Sequence, residues 1–294
     1  MTGGEHDRVW DFAVAPPRIA PGVMSMVGYR AVDNPRELHR GMPSSTLTFI
    51  VSLDDGVEAA ESAEALAAAR PNPLLLGGLH VQAAHIRQRR GQAGVQIGVH
   101  PLAARALFGV PSAELDAVQL DAAAVLGRSG IRLRDRVSEA RQWGDAFNWI
   151  AEYLSQAWRH RDGRSVRPEV KHAWQLLALS GGQASVGAVA DRVGLTGRHL
   201  TTLFHREVGQ SPKTVAMLMR FERATAAISD SVRRCATVDL AAVAASTGYS
   251  DQAHLTREFV RFAGAPPGRW IAEEFRNIQD GGHAFTADCR HDCI

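Results

Sequence analysis

The sequence predicts an α+β protein with a β-rich N-terminal part, folded as a small barrel or jelly roll with helices, and an all-helical C-terminal part. Three observations predict this class. Short runs rich in Val, Ile, Thr and Phe alternate with turn residues between positions 19 and 100. Helical apolar spacing takes over from position 101. Within the helical part, one arrangement of helix, glycine turn and helix occurs twice, at 185–209 and at 239–264.

The N-terminal part combines a polar start with several short strands. Residues 1–18 are polar and contain two adjacent prolines, which predicts a flexible arm. Residues 45–53 (STLTFIVSL) form the firmest predicted strand, and 95–99 (VQIGV) form another. Turn signals such as the DDG sequence at 54–56 separate the strands. Several short strands within about 100 residues favour a small barrel or a double-sheet jelly roll within a domain at 19–159.

Helical segments connect this domain to the repeated units. Pro101 stands where the first turn of a helix tolerates proline. Residues 138–158 have one apolar side, formed by Trp143, Phe147, Ile150, Leu154 and Trp158. Two interpretations of that side remain open: packing against the β-rich domain, or a dimer surface. We expect a linker at 160–168, a helical domain at 169–276 and a disordered tail at 277–294.

The repeated unit follows the rules for capped helices. Its first helix carries an apolar stripe at spacing i, i+3, i+4 and i+7, which begins at Val186 in one copy and at Leu240 in the other. Good N-cap residues precede the four helices: Ser185, Thr196, Asp239 and Ser250. Glycines end them: Gly194, Gly209, Gly248 and Gly264. The copies are 54 residues apart at the stripes and 55 apart at Phe204 and Phe259. This difference predicts one extra residue early in the second helix of the second copy.

Three segments carry a resemblance to a known family. They are 186–212 (VGAVADRVGLTGRHLTTLFHREVGQSP), the connector 220–224 (RFERA) and 238–267 (VDLAAVAASTGYSDQAHLTREFVRFAGAPP). Together they resemble the DNA-binding domain of the AraC/XylS family of transcription regulators, over about 110 residues of the chain. Two positions depart from the family pattern, because Leu255 replaces a common Phe and Pro266 replaces a Thr. Both departures are typical of packing variation.

The resemblance implies a role for each part. The domain at 169–276 is expected to bind double-stranded DNA in a sequence-specific way, and 19–159 is expected to be a cupin-like sensing or dimerisation domain. A homodimer, a small-molecule effector and, for an activator, contact with RNA polymerase are the expected partners. Two alternatives stay open: an effector-independent DNA-binding protein whose N-terminal domain only dimerises, and a cupin-like enzyme fused to a DNA-binding domain. Neither a catalytic site nor a cofactor is predicted.

The second helix of each unit is expected to enter the major groove of DNA. Leu200, Leu203 and Phe204 are assigned to the core of the first unit, and Leu255 and Phe259 to that of the second. The outward residues predicted to read bases are Arg198, His199, Thr201, Thr202, Gln252, Ala253 and Thr256. The residues predicted to contact phosphates or bases are His205, Arg206, His254, Arg257 and Arg261. The connector between the units, at about 213–229, is expected to fix their spacing.

Charge and length set wider limits. The region 165–276 holds 14 Lys and Arg against 10 Asp and Glu, whereas the remainder of the chain is slightly acidic. This excess suits a phosphate backbone, although many other folds reach it. The chain has no apolar run of about 18 residues or more, so a membrane span is not expected. Its N-terminus shows no secretory signal, and a reducing cytoplasm suits its odd number of cysteines.

Possible metal ligands are scattered. The N-terminal histidines His39, His80, His85 and His100 show no H-x-H pair, so a metal-dependent cupin site is not predicted. Cys289, Cys293 and His283 lie in the tail, where metal binding or a thiol switch competes with disorder. A DNA-repair methyltransferase of the Ada type needs cysteines in its N-terminal domain, and no cysteine here precedes Cys235. That class of protein is therefore excluded.

Overall fold

The computed structural model describes residues 9–33, 35–115, 118, 120–161, 166–234 and 236–279. It has a β-rich N-terminal half and a helical C-terminal half, so the predicted fold class is confirmed. Within these ranges, none of the helices combines the length and apolar character needed to cross a membrane. Cys235, Cys289, Cys293 and His283 lie outside the described residues, as do positions 1–8, 162–165 and 280–294.

The N-terminal half contains two antiparallel sheets. Its strands are β1 (Trp10–Val14), β2 (Val23–Ala31), β3 (Leu38–Gly41), β4 (Leu47–Ser52), β5 (Glu58–Ala60), β6 (Leu74–Gly77), β7 (Ala84–Arg87), β8 (Ala93–Val99) and β9 (Leu120–Asp121). Six strands form the larger sheet in the order β1-β2-β8-β4-β6-β9, and three form the smaller sheet in the order β3-β7-β5. The predicted strands 45–53 and 95–99 correspond to β4 and β8, which are direct neighbours.

Alternation along the strands gives the larger sheet two different faces. On β4, Phe49 and Val51 join the core cluster that also contains the helices. Thr48 and Ile50 point to the opposite face and line a cavity between the two sheets. The double-sheet arrangement is therefore that of a jelly roll with a hollow interior.

The predicted flexible arm at 1–18 was wrong for residues 10–14. These residues form β1, which pairs in register with β2 from Trp10 opposite Ala31 to Val14 opposite Val27. Trp10 is buried, and its ring stacks on Phe12. The polar and proline-containing surroundings hid a short alternating strand, because burial of its aromatic residues depends on a partner strand elsewhere in the chain.

Most helices follow β8 in the chain, whereas the first lies between β5 and β6 and packs on the smaller sheet. The helices are α1 (Ala63–Leu66), α2 (Ala104–Phe108), α3 (Ala122–Ser138), α4 (Trp143–His160), α5 (Pro168–Leu179), α6 (Val186–Arg192), α7 (Gly197–Val208), α8 (Pro212–Arg233), α9 (Leu240–Thr247), α10 (Gln252–Ala263) and α11 (Pro267–Gln279). Two short 3-10 turns, Pro101–Ala103 and Ser112–Glu114, flank α2. Pro101 occupies the first turn of its element, as predicted.

The predicted helix at 138–158 corresponds to α4 but starts later than predicted, because α3 ends at Ser138 and α4 begins at Trp143. The apolar side of α4 packs on the larger sheet. Its Trp143 ring lies so close to Gly28 of β2 that a Cβ there would come within 2.3 Å of it. Phe147, Ile150 and Leu154 are buried in the same core. The structure thus supports the packing interpretation of this side, and the dimer surface stays a prediction.

The predicted linker at 160–168 begins at the last residue of α4 and ends at the first residue of α5. Helix α11 continues to Gln279, so the predicted tail at 277–294 begins within a helix, and its remainder lies outside the described residues. One core cluster contains side chains of the sheet, α4, α5, α6 and α7 together. A second cluster contains α8, α9, α10 and Trp270 of α11. The two halves therefore share a core through the first repeated unit.

The position of the extra residue in the second unit was also wrong. Asp251, and not Ser250, is the N-cap of α10, since its carboxylate accepts the His254 backbone N–H at 2.6 Å. Ser185, Thr196 and Asp239 cap their helices as predicted. The caps of α7 and α10 are 55 residues apart, so the extra residue lies in the turn before the helix. Sequence spacing alone could not separate two adjacent residues that both cap well.

Candidate nucleic-acid interface

Each repeated unit is a compact pair of helices joined by a tight turn. In the first unit the turn between α6 and α7 contains Gly194 at φ 71°, and in the second the turn contains Gly248 at φ 88°. This left-handed region suits glycine, because it has no Cβ to clash with the backbone. Helix α8 carries on directly from the first unit and leads into the second. The connector is therefore one continuous helix, somewhat longer than predicted.

The apolar face of each second helix is buried as predicted. Leu200 and Phe204 of α7 and Leu255 and Phe259 of α10 are fully buried. The opposite faces are open. Nine of the twelve predicted DNA-contacting residues are exposed: Arg198, His199, Thr202, His205, Arg206, Gln252, Ala253, Arg257 and Arg261. Thr201, His254 and Thr256 are partly exposed.

Local hydrogen bonds distinguish some of these residues from others. The hydroxyl of Thr201 donates to the Gly197 carbonyl at 2.8 Å, and that of Thr202 donates to the Arg198 carbonyl at 3.1 Å. These two threonines can still accept a hydrogen bond but have committed their donor to the helix. Arg198 keeps its guanidinium at the exposed first turn of α7, where base edges are reached in helix-turn-helix proteins.

His254 has a structural role in the folded chain. Its Nδ1 lies 3.1 Å from the Ser250 hydroxyl, and its ring packs edge-on against Tyr249 at 5.1 Å. Its Nε2 is 3.9 Å from the carboxylate of Glu258. The ring thus ties the turn of the second unit to α10, which favours the local structural role over base reading for this residue.

The two units differ in how their buried faces are held. On α7, Glu207 receives two hydrogen bonds from Arg105 of α2, the shorter at 2.7 Å. Ser112 donates to the Val208 carbonyl, and Gln210 donates to the Leu79 carbonyl. These contacts attach the first unit to the N-terminal half.

The second unit is held from within the C-terminal half. On α10, Glu258 accepts a hydrogen bond from Arg220 of α8 at 3.0 Å; Glu258 is buried and Arg220 is partly exposed. The Arg220 guanidinium also lies over the Tyr249 ring at 4.9 Å. The ion pair between Arg220 and Glu258 therefore attaches α10 to the connector helix α8. The apolar spacing that predicted α10 carries no signal for this pair.

The cavity between the two sheets is the other feature able to bind a ligand. Its volume is about 210 Å³, and its walls come from both sheets. Two residues of the C-terminal half also line it: Glu222 of α8 and Asn277 of α11. Neither residue was predicted from the sequence, because Glu222 lies in a connector interpreted as packing. Trp10 and Phe12 were not predicted either, although the alternation in WDFAV was a usable signal.

The N-terminal histidines have separate structural surroundings. His39 Nδ1 is 2.9 Å from the Glu274 carboxylate on α11, and His100 caps the turn that follows β8. His80 lines the cavity, whereas His85 faces away from it. In the described ranges, no three His, Cys, Asp or Glu residues form a group that could hold a metal ion.

Comparison with known proteins gives one family match. Residues 189–273 match a family model described as a helix-turn-helix domain. The matched region begins within α6 and ends within α11. A search of curated protein sequences found no match. Among solved structures, ToxT from Vibrio cholerae O395 is similar at 9% identity and a TM-score of 0.46, over 90% of this chain and 98% of that one.

A second ToxT structure from the same source, bound to (E)-4-(8-methylnaphthalen-1-yl)but-3-enoic acid, is similar at 8% identity and a TM-score of 0.48. The aligned region covers 90% of this chain and 99% of that chain. Likeness this distant supports no conclusion about function. The matched domain, the two capped helix pairs and their open polar faces identify the C-terminal part of the chain as a helix-turn-helix domain of the kind that occurs in AraC-type DNA-binding transcription regulators.

Proposed function

We propose that this regulator reads two successive major grooves with α7 and α10, and that a small molecule in the N-terminal cavity modulates its binding. The observation that carries the first part is the duplicated geometry. Two second helices expose polar residues at equivalent positions, and one continuous helix, α8, joins their units. Reading helices on one face of B-DNA are one helical turn apart, about 34–36 Å. One protomer then spans about ten base pairs between the centres of its two contacts.

The observation that supports modulation is the composition of the cavity wall. Most of the wall belongs to the two sheets, but Glu222 and Asn277 belong to helices that pack with the second unit. A molecule in the cavity therefore touches the DNA-binding half directly. It shifts DNA affinity only if it binds two arrangements of the halves with different affinity. In the effector-independent alternative, the cavity would have no influence on DNA binding.

Selection of bound fragments from genomic DNA by the purified full-length protein, at a fixed salt concentration, tests the reading model. We expect an enriched motif with two blocks about ten base pairs apart. A footprint confined to one groove per protomer would contradict it. Adding candidate effectors to the same selection separates the modulated regulator from the effector-independent one, because only the former changes its occupancy.

A pair of arginine variants tests the assignment of base and phosphate contacts. Arg198→Ala is expected to cost about 1–3 kcal/mol of binding free energy on the preferred sequence and to relax one base position, because arginine can form two hydrogen bonds to guanine. Arg206→Ala, two turns further along α7, is expected to weaken binding to all sequences and to reduce the salt dependence by about one unit of slope. A uniform loss in Arg198→Ala would make Arg198 a phosphate contact instead.

A further inference from the structure

The cavity has an aromatic end and a polar end. Along β2, Tyr29 lies at one end and Ser25 at the other, four residues apart, which is about 13 Å in a strand. At the Tyr29 end, the Trp10 ring packs against Phe12 at 6.0 Å and against Tyr29 at 6.1 Å. Aromatic faces of this kind bind apolar groups and attract cations.

The polar end contains a carboxyl group with no charged partner among the described residues. Glu222 Oε2 accepts a hydrogen bond from the Ser45 hydroxyl at 2.6 Å. By contrast, Glu58, Glu207 and Glu258 each pair with an arginine, and Glu274 is beside His39. Burial raises the pKa of Glu222 to about 7, while the bonds from Ser45 act in the opposite direction. This carboxyl is the group whose charge a ligand would neutralise.

Two further wall atoms are polar and buried and have no hydrogen-bond partner within the described part of the chain. They are His80 Nε2 and Gln88 Oε1, both buried. Burial lowers the pKa of His80, against the effect of nearby carbonyl groups, so the ring is neutral. A neutral imidazole has one donor and one acceptor nitrogen, and the backbone carbonyls of Gly41, Met42 and Gly78 lie near this ring. A buried acceptor without a donor is costly, and a ligand N–H would satisfy it.

The wall also contains uncharged donors, such as the hydroxyls of Ser25 and Thr46 and the side-chain amide of Gln96. None of the described residues lining the cavity is Lys or Arg, and the one partnerless buried donor is Trp10 Nε1 at the aromatic end. His39, which also lines the cavity, is paired with Glu274. A ligand carboxylate at the polar end would face Glu222 without a compensating cation, and like charges in a poorly hydrated site repel.

We propose that the cavity takes a small organic amine, with its apolar or aromatic body at the Trp10 end and its amino group donating to Glu222. This inference rests on the proposed effector role of the cavity and names the chemistry of its ligand. The amine supplies N–H donors to the Glu222 carboxylate, and its positive charge pairs with that group. An oxygen atom on the ligand body would accept from Trp10 Nε1.

Three probes with one body and different head groups test this assignment: phenylbutylamine, phenylbutanol and phenylbutanoate. Their binding to the full-length protein is measured calorimetrically at about pH 8, where Glu222 is mostly ionised. We expect the amine to bind at least about tenfold more tightly than the carboxylate. Glu222→Gln keeps the shape of the side chain, and is expected to remove this preference while leaving the affinity for the alcohol within about twofold. Glu61→Gln, an exposed substitution, is the matched control.

The outcomes separate the ligand class from the regulator itself. Tighter binding of the amine that disappears in Glu222→Gln supports the proposal. Equal or tighter binding of the carboxylate by the unsubstituted protein, or no binding of any of the three probes, overturns it. DNA binding, measured on the same preparation, reports on the proposed regulator independently, so failure of the ligand class is distinguishable from failure of the DNA-binding function.

Discussion

The two helix-turn-helix units obey the same local rules but belong to different cores. Side chains of the first unit, such as Leu200 and Phe204, share a cluster with the β-sheet and α4. Side chains of the second, such as Leu255 and Phe259, share a cluster with α8 and Trp270. A motif defined by caps and apolar spacing thus leaves open what it packs against. Helix α7 is coupled directly to the N-terminal half, and α10 is coupled through the connector and α11.

Truncation of a core side chain is expected to have the largest effect on the stability of either unit. Phe204→Ala and Phe259→Ala each remove a fully buried ring, so each is expected to lower the free energy of unfolding by about 3–5 kcal/mol. The two substitutions are expected to destabilise different parts of the structure. In hydrogen exchange, Phe204→Ala should raise exchange in α7 and in parts of the N-terminal half, whereas Phe259→Ala should affect α9 to α11 and leave the sheet protected. The same exchange pattern for both variants would contradict the separate cores.

Two ion pairs, each with a buried glutamate, distinguish how α7 and α10 are attached to the rest of the protein. Glu207→Gln and Glu258→Gln each leave an arginine without its carboxylate, at an expected cost of about 1–3 kcal/mol in denaturant unfolding. Because Arg105 belongs to the N-terminal half, Glu207→Gln should also increase hydrogen exchange in α2. Glu258→Gln, whose partner Arg220 is on α8, should not. Equal protection of α2 in the two variants would show that the Arg105 contact does not hold the halves together.

The caps of the two reading helices provide a smaller and more local test. Asp251→Ala is expected to cost about 0.5–2 kcal/mol, comparable to Thr196→Ala, because each removes a side chain that accepts a backbone N–H at the helix start. Ser250→Ala should cost less, since its hydroxyl contacts His254 and caps no helix N–H. The melting temperatures of the three variants measure these differences in stability. A larger loss in Ser250→Ala than in Asp251→Ala would restore the sequence-based cap.

The smallest expected effect is on pH dependence at the contact between β3 and α11. Burial lowers the pKa of His39, but the charge and hydrogen bond of Glu274 outweigh it and the net shift is upward. A raised histidine pKa stabilises the folded state fully below the ordinary value of 6.5, and this stabilisation is lost as pH rises through the folded value. Glu222, raised from 4.5 to about 7, acts in the same direction between those values.

The melting temperature of the full-length protein, followed from about pH 5 to about pH 8, measures this effect. We expect His39→Gln to remove the part of the decline above about pH 6.5 and Glu222→Gln to remove the part below about pH 7. An unchanged slope in both variants would show that neither group gains or loses a proton on folding in that window.

The sequence by itself determined the features that depend on neighbours a few residues away. Local spacing predicts caps such as Ser185 and Thr196. It also predicts the buried faces that include Phe204 and Phe259, and the strand that corresponds to β4. The open faces of α7 and α10 follow as well, because each helix carries polar and charged residues on the side opposite its apolar stripe. The family resemblance rests on these same local features.

Tertiary structure alone decided what meets across long sequence separations. Glu222 reaches Ser45 across 177 positions, and Arg105 reaches Glu207 across 102. The strand at Trp10 exists because β2 supplies its hydrogen bonds. Polar pairs and cavities of this kind arise from the way surfaces meet, and a single sequence carries no periodic signal for them. Helices α7 and α10 could therefore be predicted from the sequence, whereas their attachment to the N-terminal half and the cavity beside Glu222 could not.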